Sequence, residues 1–181
     1  MVAQLVSTHF EADLDMASVL GMKIQFLPAT NGYADRVWFA PSPVNVPVHI
    51  HPNHTETFTA EIGDLEVLKG GVWYRLQPGQ PLIIPPGVPH SFRNHSSEPL
   101  IYQHSFSPDS RFRDLMEGYG QLGREGKLTR QRTLRTVIYV MMLFDHFRDV
   151  QVFAGPLRYL APVLAALGRG LGFRLGIPQA R

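Results

Sequence analysis

The stretch PVHIHPNHTETFTAEIG, residues 47–63, read with GQPLIIPPGVPHSFRN, residues 79–94, decides the fold of this 181-residue chain. His49 and His51 are separated by one residue, so on a strand both side chains leave the same face. Glu56 falls on the next predicted strand, and His90 follows a Pro-Gly turn. Three imidazoles and one carboxylate on neighbouring strands would suit one divalent transition metal: iron, manganese, nickel, zinc or copper. Such a site is more rigid on strands than on loops.

Around these two stretches the first part of the chain reads as β. Met22–Leu27, Arg36–Phe39, Val46–His51, Thr55–Ile62, Leu65–Lys69, Val72–Leu76, Leu82–Ile84, His90–Asn94 and Leu100–Phe106 are short and rich in β-branched or aromatic residues. Asn31-Gly32, Gly63-Asp64, Gly70-Gly71, Pro78-Gly79 and Pro86-Gly87 separate them as turns. Many short strands at this spacing predict a sandwich or barrel. After residue 109 the period changes. Asp109 or Ser110 is the expected cap of a helix running to Arg124, which Gly123 and Gly126 break. Helices are also expected over Thr133–Val152 and Leu157–Phe173.

Charge changes at the same place. Residues 1–109 carry 5 Lys and Arg against 10 Asp and Glu, and residues 110–181 carry 12 against 5. The expected organisation is a β domain over 1–108 and a basic helical extension over 109–181. With no cysteine, disulfides, thiolate metal sites and a Cys nucleophile are excluded, which fits a reducing compartment. The start MVAQLVSTHFEADLD does not read as a signal peptide, and the longest apolar run, Val137–Phe144, is too short to span a bilayer. A cytoplasmic protein is expected.

The two stretches resemble the paired motifs of the cupin superfamily. The first motif, G-x(5)-H-x-H-x(3,4)-E-x(6)-G, is met by His49, His51, Glu56 and Gly63; its opening glycine is Pro43 here. The second, G-x(5)-P-x-G-x(2)-H-x(3)-N, is met by Gly79, Pro85, Gly87, His90 and Asn94. The resemblance covers about residues 18–108, and its short intermotif gap is similar to that of small single-domain bacterial cupins. It implies a mainly β fold, an antiparallel jelly-roll barrel, with His49, His51, Glu56 and His90 as metal ligands and coordination positions left open. The family holds dioxygenases, isomerases, decarboxylases, epimerases, cyclase-like proteins and non-catalytic binders, so fold alone does not choose a reaction. The version expected here is a quercetin-dioxygenase-like oxygenase acting on a small organic molecule, in which Glu56 is also the catalytic base. The alternatives are a non-redox isomerase or cyclase, and a binding or sensing module.

Residues outside the motifs carry weaker signals. His54 sits in an inter-strand turn and reads as a surface or mouth residue rather than a fifth ligand. Tyr102, His104 and Phe106 share one face of the last strand, with Ile101, Gln103 and Ser105 on the other. If the first face points inward, Tyr102 and His104 could contact substrate; otherwise His104 is a packed or solvated histidine. Trp38, Phe58 and Phe92 read as barrel core. The stretch LRYLAPVLAALGRGLGFRLG, residues 157–176, mixes an apolar body with scattered arginines and is expected to pack on the barrel or on a second subunit, giving a homodimer. Pro162, Gly168, Gly170 and Gly172 weaken it as a free amphipathic helix on a membrane, and no motif for nucleic acid is present.

Overall fold

The computed structural model describes residues 10–108, 110–131 and 133–177, so Asp109, one of the two expected helix caps, lies outside them. The described strands are β1 (Leu14–Met16), β2 (Met22–Leu27), β3 (Tyr33–Phe39), β4 (His49–Ile50), β5 (Thr55–Ile62), β6 (Leu65–Lys69), β7 (Val72–Leu76), β8 (Pro81–Ile84), β9 (His90–Arg93), β10 (Leu100–Ser107) and β11 (Val152–Phe153). The helices are α1 (Phe112–Arg124), α2 (Leu134–His146) and α3 (Leu157–Gly170). Two antiparallel sheets, ordered β1-β2-β3-β10-β5-β8 and β11-β4-β9-β6-β7, form a jelly-roll barrel.

Alternation builds the barrel wall. Along β3, Tyr33, Asp35, Val37 and Phe39 are buried while Ala34, Arg36 and Trp38 are only half-buried. Trp38 therefore lies on the outer face, with Lys23 Nζ 5.3 Å from its ring, and is not barrel core. Phe58 and Phe92 are core, with ring centroids 5.2 Å apart. Gly32 opens β3 because a Cβ there would meet the carbonyl oxygen of Phe106 at 2.0 Å. Asn94, which ends the second motif, is a tie rather than a ligand. Its amide donates to the carbonyls of Phe39 and Glu98 at 3.0 and 2.9 Å.

The C-terminal part is joined to the barrel. Strand β11 pairs with β4, placing Phe153 opposite His49, and one hydrophobic cluster runs from Phe58 and Phe106 through Phe112 and Leu115 to Phe147. Neither β1 nor β11 was predicted: each is two or three residues long and exists because a neighbouring strand supplies its hydrogen bonds. The second helix ends at His146, not Val152, because the amides of Val150 and Gln151 turn back to the Phe147 carbonyl and release the chain into β11. Helix α1 starts at Phe112 behind Arg111, which makes no side-chain cap; Ser110 Oγ accepts from the Phe112 amide at 3.2 Å. It passes through Gly123, where a Cβ would meet Val19 at 2.7 Å.

Helix α3 persists through Pro162 because packing outweighs propensity. Its inner face is Ala161, Ala165 and Gly168, and a Cβ on Gly168 would meet Ile138 of α2 at 2.5 Å. Its outer face carries Tyr159, Val163 and Leu167, all exposed. No described helix is long and apolar enough to cross a membrane.

Candidate metal centre

The two sheets bring the four predicted ligands together. His49 on β4 stands directly opposite His90 on β9, both in the five-stranded sheet. His51 follows β4 immediately. Glu56 comes from the six-stranded sheet, opposite Phe106 and Ile84. One potential ligand atom from each of His49, His51, Glu56 and His90 falls within 4.8 Å of all the others, and all four residues are buried. The second-motif turn helps to place them. Gly87 takes φ +79°, a conformation that side chains disfavour, and its amide donates to the His51 carbonyl at 2.9 Å.

Backbone carbonyls decide which nitrogen of each histidine faces the centre. His49 Nδ1–H donates to the Pro47 carbonyl at 2.8 Å, His90 to that of Val88 at 2.9 Å, and His51 to that of Val150 at 2.6 Å. A carbonyl can only accept, so each Nδ1 carries a proton, and in the neutral ring Nε2 is the atom left with a lone pair. These are the partners that metal-bound histidines need for their second nitrogen. Pro47 and Val88 each lie two residues before the histidine they hold. Val150 comes from the C-terminal extension, and a backbone carbonyl so distant in sequence leaves no signal in the residue pattern.

The donor set fits a divalent cation. His51 Nε2, His90 Nε2 and Glu56 Oε2 are buried with no hydrogen-bond partner, and the Oε2 stands 2.6 Å from His90 Nε2 and 3.6 Å from His51 Nε2. Converging acceptors at such separations require a shared cation, either a proton on His90 or a metal ion in its place. Burial lowers the pKa of His51 to about 4, despite Glu56 pulling the other way, so this ligand is neutral at neutral pH. His49 is lowered well below the usual value by burial and by His90 and His51. Burial opposes ionisation of Glu56, but His90, His51 and His104 outweigh it and hold the carboxyl well below the usual range.

Of the other predicted residues, Tyr102 and His104 do face inward, with Phe106. Tyr102 packs between Phe39, Phe58 and Phe92 at centroid distances of 6.4, 5.9 and 5.7 Å, and burial raises its hydroxyl pKa. His104 Nε2–H donates to Glu56 Oε1, and its Nδ1 lies 3.5 Å from Asp35 Oδ1. His54 is buried rather than at the surface; it stands outside the four-ligand group, its ring 6.4 Å from that of Phe106. Two neighbours of the centre were not anticipated. Asp35 is fully buried and accepts from Tyr33 Oη at 2.5 Å; a carboxylate on an otherwise apolar strand face was a readable sign. Phe112, expected only as helix core, stacks on Phe106 at 4.2 Å and lies 5.1 Å from His104 and 6.1 Å from His51. The described cavity of about 310 Å³, lined by Tyr33, Phe26 and Arg113, contains none of the four ligands.

With this geometry in hand, residues 36–106 match the family model described as the Cupin domain. The barrel is a cupin domain. It is followed here by C-terminal helices. No curated protein matches this chain. Among solved structures, an RmlC-like cupin from Shewanella frigidimarina NCIMB 400 is 26% identical, with 55% of this chain and 90% of that one covered at a TM-score of 0.45. KdgF from Halomonas sp. is 23% identical, with coverage of 59% and 94% and a TM-score of 0.47. The Cnp3 cupin domain of Schizosaccharomyces pombe is 19% identical, with coverage of 64% and 76% and a TM-score of 0.47.

Proposed function

We propose that this cupin is a metal-dependent enzyme acting on a small organic molecule, most nearly of the quercetin-dioxygenase-like kind, with one divalent transition metal on His49, His51, Glu56 and His90. The observation that supports it is the convergence of four buried donors within 4.8 Å, with each histidine's other nitrogen already bonded. When bound, such an ion supplies Lewis acidity and, if redox-active, a centre for dioxygen chemistry. In this reading Glu56 would also take the substrate proton; with Oε1 bonded to His104, that role falls to Oε2 and requires its hold on the ion to loosen. Tyr102, His104 and His54 are its pocket residues. Turnover is tested by dioxygen uptake with Fe(II)-, Mn(II)- or Ni(II)-loaded protein and enolisable flavonols or diketones. The expected result is uptake that His51→Ala abolishes. Tight ligand binding with no product under any metal would sink the enzyme reading.

A second reading is a non-redox isomerase or cyclase, or a non-catalytic binding cupin, which the same donor group serves equally. Product formed without dioxygen uptake selects the first of these. The metal assignment has a separate test. Elemental analysis should give about one transition metal per chain, lost in the His49→Ala, His90→Ala double variant. A homodimer in a reducing compartment completes the proposal, supported by the apolar outer face of α3 and the absence of cysteine. Light scattering that finds a monomer at micromolar concentration would count against the dimer.

A further inference from the structure

Glu56 is a single carboxylate with two different environments. Its Oε2 turns to the histidine Nε2 atoms, while its Oε1 accepts a hydrogen bond from His104 Nε2. His104 is not one of the four candidate ligands. Its ring is locked on several sides: it stacks on Phe58 at 5.0 Å and 26°, and meets Phe106 and Phe112 edge-on at 4.7 and 5.1 Å. Strand register fixes the ring's height, because His104 on β10 stands opposite Phe58 on β5 and Asp35 on β3. On the far side of the ring, Asp35 Oδ1 lies 3.5 Å from Nδ1, and Asp35 is in turn held by Tyr33 Oη. The result is a buried line, Tyr33–Asp35–His104–Glu56, that reaches from the six-stranded sheet to the donor group.

We infer that His104, locked by its ring contacts and with Asp35 beside its far nitrogen, is a positioning residue for the metal site, occupying Glu56 Oε1 so that the carboxylate offers a single oxygen, Oε2, to a bound ion. This inference rests on the metal reading of the four-ligand group. A carboxylate free at both oxygens can chelate with both or rotate away, whereas one tied at Oε1 is a one-oxygen ligand of set direction. Such a tie leaves more of the coordination sphere to substrate. Packing alone would not need it: an apolar side chain of similar size would fill the space among Phe58, Phe106 and Phe112.

The test uses Co(II) alone as probe, with the full chain. Wild type, His104→Leu, His104→Asn and His104→Gln are titrated by calorimetry, and the visible spectrum of each loaded protein is recorded. Gln carries an amide nitrogen about as far from the backbone as His Nε2, so it keeps the bond to Oε1; Asn is too short and Leu has no donor. Leu and Asn are expected to bind Co(II) about 10–100-fold more weakly, with a weaker absorption band as Glu56 becomes a two-oxygen ligand, and Gln is expected to restore both. Should Leu not fold, Asn against Gln carries the same comparison. Equal affinities and identical spectra for Asn and Gln would overturn the positioning role while leaving the metal site standing. A wild-type protein that takes up no Co(II) would instead overturn the metal reading, and this inference with it.

Discussion

Replacing Phe112 by alanine tests whether the C-terminal extension closes the metal site. The ring is buried, stacks on Phe106 at 4.2 Å, and lies 5.2 Å from Tyr33 and 5.1 Å from His104. Truncating a buried phenylalanine costs about 3–5 kcal/mol; the lower end applies at a barrel mouth, where water can enter the space left behind. For a chain of this size, about 3 kcal/mol lowers Tm by roughly 6–12 °C. If ions enter and leave when Phe112 lifts, the same loss raises the open population, and with it the exchange rate, about 100-fold. The assay loads the protein with Co(II), adds excess EDTA and follows the decay of visible absorption. Leu65→Ala is the control: Leu65 is fully buried at the start of β6, beyond the far end of β5 from Glu56, and its loss carries a similar cost. Phe112→Ala should release Co(II) far faster than Leu65→Ala at equal Tm loss. Equal release from the two would show that exchange proceeds through global unfolding and would refute the closing role.

Two further outcomes are expected. Burial pulls His104 down, but Glu56 and Asp35 outweigh it and raise its pKa to about 9. A histidine raised on folding contributes stability that is fully present below about pH 6.5 and lost as pH rises through about 9. Metal-free protein should therefore show a falling urea midpoint across that window and His104→Gln a flatter one; parallel profiles would contradict it. Gly87→Ala, at φ +79°, should destabilise the protein by about 1–2 kcal/mol in urea titration and weaken Co(II) binding through the turn that holds His51 and His90. An unchanged midpoint would remove Gly87 from that account.

The donor group was legible because its chemistry is carried by residue type and spacing. A one-residue interval puts His49 and His51 on one face, and glycine-framed turns set where Glu56 and His90 arrive. Most strands were legible for the same reason, since alternation follows directly from the pleat. What stayed hidden depends on partners distant in sequence. The Val150 carbonyl has no side-chain signature, β11 is too short to show a period, and Phe112 looks the same whether its ring faces a helix or a metal site. Trp38 was misplaced because aromatic content says that a residue is covered, not from which side. Asp35 is the one omission the sequence did signal, as an acid at an inward position between Tyr33 and Val37.

Drawing ligands from both sheets makes core packing part of the coordination chemistry. His49 and His90 ride on one sheet and Glu56 on the other, so the gap between the sheets sets the bite of the site. That gap is filled by the rings of Phe58 and Phe92, with Phe58 6.5 Å from His90. A larger ion asks the sheets to stand farther apart and a smaller one to close up, and a densely packed layer resists either change. In the metal reading proposed above, the aromatic layer would then act as a spacer for the ionic radius the barrel accepts. A preference for one metal over another would then depend on phenylalanines outside the four-residue donor group.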